Sequence, residues 1–193
     1  MAKEKYIKIA ENLFKKSPVV SISSVERITK NKNYAKQLVR NLVIKGKIKR
    51  LVKGYYTIHD DPSLAVLCFR RAYLGLQDAL SFHNLWEQET IPVIITTDRA
   101  RQGLRKIIGT NVFIRRIDRK YSFGFGYCNY HGNLYLPYSD IEKTLIDLVY
   151  FRQKLSEDLK KGIIRKIDRK KLGMYLKAYP KRFRKRIINL LTK

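Results

Sequence analysis

The stretch "NKNYAKQLVRNLVIKGKIKRLVKGYYTI", Asn31 to Ile58, changes its period partway along, and that change decides the fold. Its first part is helical. Projected at about 100° per residue, Ala35, Leu38, Val39, Leu42 and Val43 fall on one side, while Lys36, Gln37, Arg40 and Asn41 gather on the other. Gly46 can close this helix, predicted from about Tyr34 to Lys45, in a left-handed conformation. "KIKRLV" and "YYTI" then read as two β-rich runs joined by a tight turn at Lys53 and Gly54. No Asp or Glu interrupts the stretch, so its positive charge exceeds what a solvated surface needs.

Working back to the N-terminus, Ile7, Ala10, Leu13 and Phe14 recur at helical spacing and predict a first helix that ends before Pro18. "SSVERITKN" offers Ser23 or Ser24 as an N-cap, with Glu26 placed to bond back to Ser23. A short second helix therefore runs from there to the turn residues Asn31 to Asn33. Two short helices, a turn, a third helix and a β-hairpin within residues 1–58 predict a winged helix-turn-helix, whose third helix suits a DNA major groove about 12 Å wide. The candidate DNA-contacting residues are Ser24, Lys32, Asn33, Lys36, Gln37, Arg40, Asn41, Lys47, Lys49, Arg50 and Lys53. Arg and Lys bond guanine acceptors, Gln and Asn pair with adenine, and the hairpin cations Lys47, Lys49, Arg50 and Lys53 neutralise phosphates.

The charge of the whole chain agrees. Its 193 residues carry 42 Lys and Arg against 16 Asp and Glu, a net +26, which calls for a polyanionic partner. The excess sits at the two ends: +12 over residues 1–58, +1 over 59–159 and +13 over 160–193. No apolar run approaches the roughly 20 residues of a membrane span, and the amphipathic N-terminus is not a signal peptide, so a cytoplasmic protein is expected. Two cysteines 60 residues apart, Cys68 and Cys128, are too few for a disulfide framework or a thiolate zinc site and are expected as reduced, buried thiols.

Beyond the hairpin, "DDPSLAVLCFRRAYLGLQDALSFHNLWEQ" predicts a helix from an Asp cap and Pro62 to about Tyr73, then a short helix from Gln77. Strands follow in "TIPVIITT", "NVFIRRI", "FGFGYCNY" and "NLYLP", the last two forming a hairpin at His131 to Asn133. "PYSDIEKTLIDLVYF" predicts a helix with Ser139 and Glu142 as its capping box and Ile141, Leu145, Leu148 and Val149 as its apolar stripe. The tail predicts two more helices, one capped by Asp168 and one restarting after Pro180. Its apolar residues Leu172, Tyr175, Leu176, Phe183, Ile187, Ile188 and Leu191 can dock on the middle segment. That leaves Lys170, Lys171, Lys177, Lys181, Arg182, Arg184, Lys185 and Arg186 outside. Lys181, Arg182, Lys185 and Arg186 are the candidate secondary polyanion surface.

Catalytic patterns find no support. Ser81 and His83 lie two apart, pointing about 200° away from each other on a helix, so they cannot pair as nucleophile and base. Gly124 and Gly126 lack the third glycine and the Lys-Ser/Thr of a phosphate loop, and Glu142 and Asp147 are five apart. His59 and His131 share no metal spacing with either cysteine; no metal and no cofactor are expected. "TTDRARQGLRK", with Arg99, Arg101, Arg105 and Lys106, reads as a basic loop that either touches a partner or is solvated.

The wing closing in "GYYTI", the helix with "DALSFHNL" (Ala79, Leu80, Ser81 and His83), the strands "ITT", "GTNVFIRRI" and "FGFGY", and the helix "DIEKTLIDLVYF" together resemble the AbiE-type (AbiEi) antitoxins of prokaryotic abortive-infection, type IV toxin–antitoxin systems. The resemblance implies a DNA-binding domain that represses its own operon and a C-terminal domain that counteracts a nucleotidyltransferase-like toxin. The expectation is thus an α+β chain: a winged helix-turn-helix over 1–58 and a mixed α/β domain over 59–193 with a basic helical tail. Its function is that of a non-enzymatic, sequence-specific regulator, possessing a double-stranded operator with repeated half-sites as partner and binding it as a dimer. The alternative is a basic RNA-binding or RNA-modification-associated protein, since basic ends with many tyrosines also suit single strands.

Overall fold

The computed structural model describes residues 2–191, and the chain is a mixed α+β protein. It divides into two compact units, one made of the residues up to Cys68 with Lys106–Asn111, the other of Phe69–Arg105 with Val112 onward.

In the first unit, α1 (Ala2–Lys16), β1 (Val20–Ser21), α2 (Ile22–Thr29) and α3 (Lys32–Ile44) precede the hairpin of β2 (Lys49–Val52) and β3 (Tyr55–Thr57). One core joins them: Ala10 and Phe14 from α1, Val25 from α2, and Ala35, Leu38, Val39 and Leu42 from α3 are all at most 4% exposed. Burying a side chain such as Phe14 contributes about 1.5–3 kcal/mol, which is why the apolar residues keep helical spacing. The three strands order as β1-β3-β2. Thr57 donates from Oγ1 to the Pro18 carbonyl at 2.6 Å, and the Ile22 amide donates to the Gly54 carbonyl at 2.8 Å, fixing the hairpin against the start of α2. Gly54 (φ 83°) makes the hairpin turn in a backbone region that side chains disfavour.

Two sequence expectations change here. Ser21, not Ser23 or Ser24, caps α2: its Oγ accepts the Ser24 amide at 3.2 Å, because β1 carries the chain into the helix two residues earlier. Val43, expected on the buried side of α3, is 37% exposed, and the next residue, Ile44, is 71% exposed.

The second unit is built on a sheet of order β6-β7-β5-β4-β9-β8, made of β4 (Tyr73–Leu74), β5 (Val93–Thr96), β6 (Gly103–Ile107), β7 (Thr110–Arg116), β8 (Phe125–His131) and β9 (Leu134–Ser139), except for the β6–β7 turn at Lys106–Asn111, which belongs to the first unit. α4 (Leu76–Phe82), α5 (Ile141–Tyr150), α6 (Glu157–Lys166), α7 (Arg169–Leu176) and α8 (Lys181–Leu191) complete it. β5 pairs parallel to β7, β4 parallel to β9, and β8 and β9 form the expected antiparallel hairpin. The helix expected from Pro62 to Tyr73 is instead a 3-10 segment, Pro62–Cys68, followed by β4, whose two residues both pair with β5 and of which Leu74 also pairs with β9. Such a short buried strand leaves no periodicity to read.

The cap of α5 also differs. Asp140 Oδ1 accepts the Lys143 amide at 2.8 Å, while Ser139 is buried with its hydroxyl 2.8 Å from that of Thr144. Glu142, freed from the expected capping role, accepts the Asp168 amide at 2.8 Å. Cys68 and Cys128 are free and half-buried, not fully buried, and burial pushes the Cys68 thiol up to about 12. Among the described residues no helix is long and apolar enough to cross a membrane.

Candidate nucleic-acid interface

α3 presents its polar side because its apolar side is committed to the core. Asn31 starts it, Oδ1 accepting the Tyr34 amide at 2.9 Å, and Lys30 makes the sharp link from α2 in a left-handed conformation (φ 52°). Lys32, Asn33, Lys36, Gln37, Arg40 and Asn41 are then all exposed. The structure divides them between two flanks. Lys36 and Arg40, with Val43 and Ile44, face the hairpin across a groove of about 480 Å3 whose other wall carries Arg50, Lys53 and Tyr56. Gln37 and Asn41 line a smaller cleft of about 210 Å3 shared with Ile7 and Lys45.

The groove therefore sets four cations over an exposed apolar floor, with no carboxylate in its lining. Cations of this kind attract phosphates and guanine edges, and aliphatic groups such as Val43 and Ile44 match thymine methyls or sugars. Sequence reading missed the floor because Val43 projects onto the apolar side of α3 and was read as core; Ile44, which projects about 180° from Ala35 among Arg40 and Gln37, was the signal left unread.

The remaining predicted residues are less available. Lys47 pairs with Glu11 at 2.6 Å, a bond that holds the Glu11 carboxyl below its ordinary value, and Lys49 pairs with Asp60. Both carboxylates lie outside the acid-free stretch and approach only in the fold. Ser24 is half-buried, its hydroxyl 3.0 Å from that of Ser21 and accepting from Arg27. A phosphate at Lys47 or Lys49 has to displace a carboxylate first; among the described residues Arg50, whose Nε donates to the Val52 carbonyl at 3.4 Å, and Lys53 are the hairpin cations without a carboxylate partner.

In the second unit, Lys181, Arg182, Lys185 and Arg186 are all exposed on α8, which is anchored by the fully buried Ile187 and by Phe183 stacked on Tyr179 at 4.8 Å. Three expectations for the tail are corrected. Ile188 is 51% exposed and not buried; Arg184 is occupied, donating from Nε to the Tyr179 carbonyl at 2.7 Å; and Lys171 is paired with Asp140 at 3.0 Å and Glu142 at 3.1 Å. Partial burial opposes the Lys171 charge, but its bonds to the two carboxylates outweigh that and hold the ammonium above the ordinary lysine value. Of the loop expected around "TTDRARQGLRK", Arg105 and Lys106 belong to β6.

The same unit holds a cluster not foreseen from sequence. Tyr73 donates from its hydroxyl to Asp147 Oδ2 at 2.7 Å, Lys143 pairs with Asp147 Oδ1, and the three residues are 0% exposed. Burial raises the Asp147 carboxyl and lowers the Lys143 ammonium, each opposed by the attraction between them. Gly124 (φ 70°) lets the chain pass: a Cβ there would lie 2.8 Å from Lys143 Cβ. Sealed from solvent, the triad ties β4 to α5.

No protein-family model matches the chain, and no curated protein matches it. Its structure is similar to that described as the crystal structure of RV2827C protein from Mycobacterium tuberculosis, with a TM-score of 0.61 and 14% identity, covering 96% of this chain and 74% of that one. At that identity the likeness concerns the fold alone.

Proposed function

We propose that the protein is a cytoplasmic, sequence-specific transcriptional regulator of antitoxin type, without catalytic activity of its own. Its first unit acts as a winged helix-turn-helix, with α3 entering the major groove of duplex DNA and the β2–β3 hairpin serving as the wing. The observation that carries this reading is the groove in which Lys36 and Arg40 of α3 face Arg50 and Lys53 of the hairpin. The resemblance to AbiEi antitoxins supplies the remainder: repression of the protein's own promoter and counteraction of a nucleotidyltransferase-like toxin. One such unit contacts only a few base pairs, so two copies on repeated half-sites complete the specific complex.

In this reading α3 reads bases and the wing adds affinity. Arg40→Ala or Gln37→Ala costs about 1–3 kcal/mol on the cognate duplex and relaxes base preference, whereas Lys53→Ala weakens all duplexes alike. Titrating each variant against cognate and random duplexes measures both effects; equal losses on the two by all three variants would remove α3 from the readout role.

The four exposed cations of α8 act as a second polyanion surface. Reversing Lys181, Arg182, Lys185 and Arg186 to Glu flattens the dependence of log affinity on log salt by about 3 units if three or four of them touch phosphate. A wild-type slope in a variant with unchanged thermal unfolding would leave the first unit as the nucleic-acid surface.

One observation favours the RNA reading. Tyr127 and Tyr135, on adjacent strands of the β8–β9 hairpin, are 69% and 53% exposed, as stacking platforms for unpaired bases are. That hairpin carries no Lys or Arg between Tyr121 and Ser139, so it lacks the cations that single-strand sites combine with aromatic rings. Charge places α3 ahead.

A further inference from the structure

The second unit contains a cleft of about 360 Å3, walled by Leu76, Trp86, Ile91 and Phe113 and reached by Arg115 and Glu89. Its volume lies in the range of small-molecule sites, roughly 300–1,000 Å3. Arg115 sets its character. Its guanidinium carbon lies 4.6 Å from the centre of the Phe113 ring and 5.4 Å from that of Phe151. Nε is buried without a hydrogen-bond partner, and among the described residues the side chain makes no hydrogen bond or ion pair.

A guanidinium is always charged, and withdrawing part of it from water without an acceptor is costly; contact with two ring faces offsets only part of that. Among the described residues none accepts from it: Glu89 stands exposed at the wall without pairing with it, and Gln153, also in the lining, accepts from Gln77 instead. Leu76, in the same wall, is held at φ 55°, a left-handed conformation that costs a branched side chain energy and persists where the surroundings impose it.

We infer that this cleft binds a small organic carboxylate with an apolar body. The planar fork of Arg115 matches a carboxylate through two parallel hydrogen bonds, and Trp86, Phe113, Leu76 and Ile91 cover the hydrocarbon part. A phosphate is the poorer fit: Arg115 is the single cation in the lining and Glu89 adds a negative charge beside it, so the site suits one negative charge and not two. The site belongs to the second unit and does not depend on the proposed DNA-binding reading.

Trp86 is the chain's one tryptophan, so its fluorescence reports on the cleft. Cyclohexanecarboxylate should change the emission of the full chain saturably and raise the unfolding temperature, and the isosteric cyclohexanecarboxamide should bind about tenfold or more weakly. Arg115→Met should lose at least about tenfold in carboxylate affinity, yet unfold at the same or a higher temperature without ligand, because methionine still packs on the two rings and leaves no unpaired charge. Glu89→Gln should keep or strengthen carboxylate binding.

Equal responses to acid and amide, or carboxylate binding that survives Arg115→Met, would overturn the inference. So would a response confined to a peptide ending in a free leucine carboxylate, which would make the cleft a protein-docking site. Should Arg115→Met not fold, the acid–amide comparison on the wild-type chain decides alone.

Discussion

Lys143→Met should destabilise the protein by about 3–5 kcal/mol, because it leaves Asp147 buried without its counter-charge. For a chain of this length that is a fall of roughly 6 to 20 °C in Tm. Adding Asp147→Leu to the same chain should recover most of the loss, since a well-packed apolar pair is often as stable as a buried ion pair. The single variant carries a signature in pH. Burial already raises the Asp147 carboxyl, and removing Lys143 takes away the charge that opposes it most. A carboxyl raised in the folded state holds a proton that the unfolded chain has released, so stability falls as pH rises from the unfolded value of about 3.9 through the folded one. The deficit of Lys143→Met should therefore be smallest in acid and grow toward neutral pH. Thermal unfolding across that range tests it. A deficit independent of pH, or a double variant no more stable than the single, would mean that lost packing and not charge accounts for the effect.

What the sequence made legible follows from how many residues an element uses to state itself. α3 states its period over most of its thirteen residues and its stop at Gly46, although the sequence reading starts it at about Tyr34, two residues late, with Asn31 as turn and not as cap; the hairpin announces its turn with Lys53 and Gly54. β1 and β4 have two residues each and are held by partners distant in sequence, so nothing local marks them. α6 was unread because only Leu159 and Ile163 of its ten residues are buried, a single i, i+4 pair amid charge. The charged face of α3 was legible because charge on an amphipathic helix needs no neighbour to be seen. The limits of the interface were not: Glu11 and Asp60 pair with Lys47 and Lys49 only once the chain folds, and Val43, on the apolar side of the helical projection, is 37% exposed in the last turn of α3. The Tyr73–Lys143–Asp147 triad joins residues up to 74 positions apart. Lys143 and Asp147 did stand four apart inside an apolar helix, and that spacing was the one local sign of a buried pair.

The salt dependence of duplex binding decides whether the groove between α3 and the hairpin is the nucleic-acid surface. Lys36, Arg40, Arg50 and Lys53 are all exposed, so replacing the four together with Gln removes charge without opening the core. Each phosphate contact contributes about 0.9 to the slope of log affinity against log salt, so the variant should lose about 3 to 4 units of slope. At about 0.1 M salt that amounts to a loss on the order of a thousandfold in affinity. Lys47 and Lys49, already paired, should contribute less than this when replaced in the same way. The titration uses the duplex that lies upstream of the protein's own coding sequence, with an unpaired RNA of equal length as comparator. The expected result is tighter binding of the duplex by the wild-type chain and collapse of both slope and affinity in the fourfold variant. A variant that keeps the wild-type slope on duplex DNA, or a wild-type chain that prefers the RNA, would contradict the assignment of this groove to DNA.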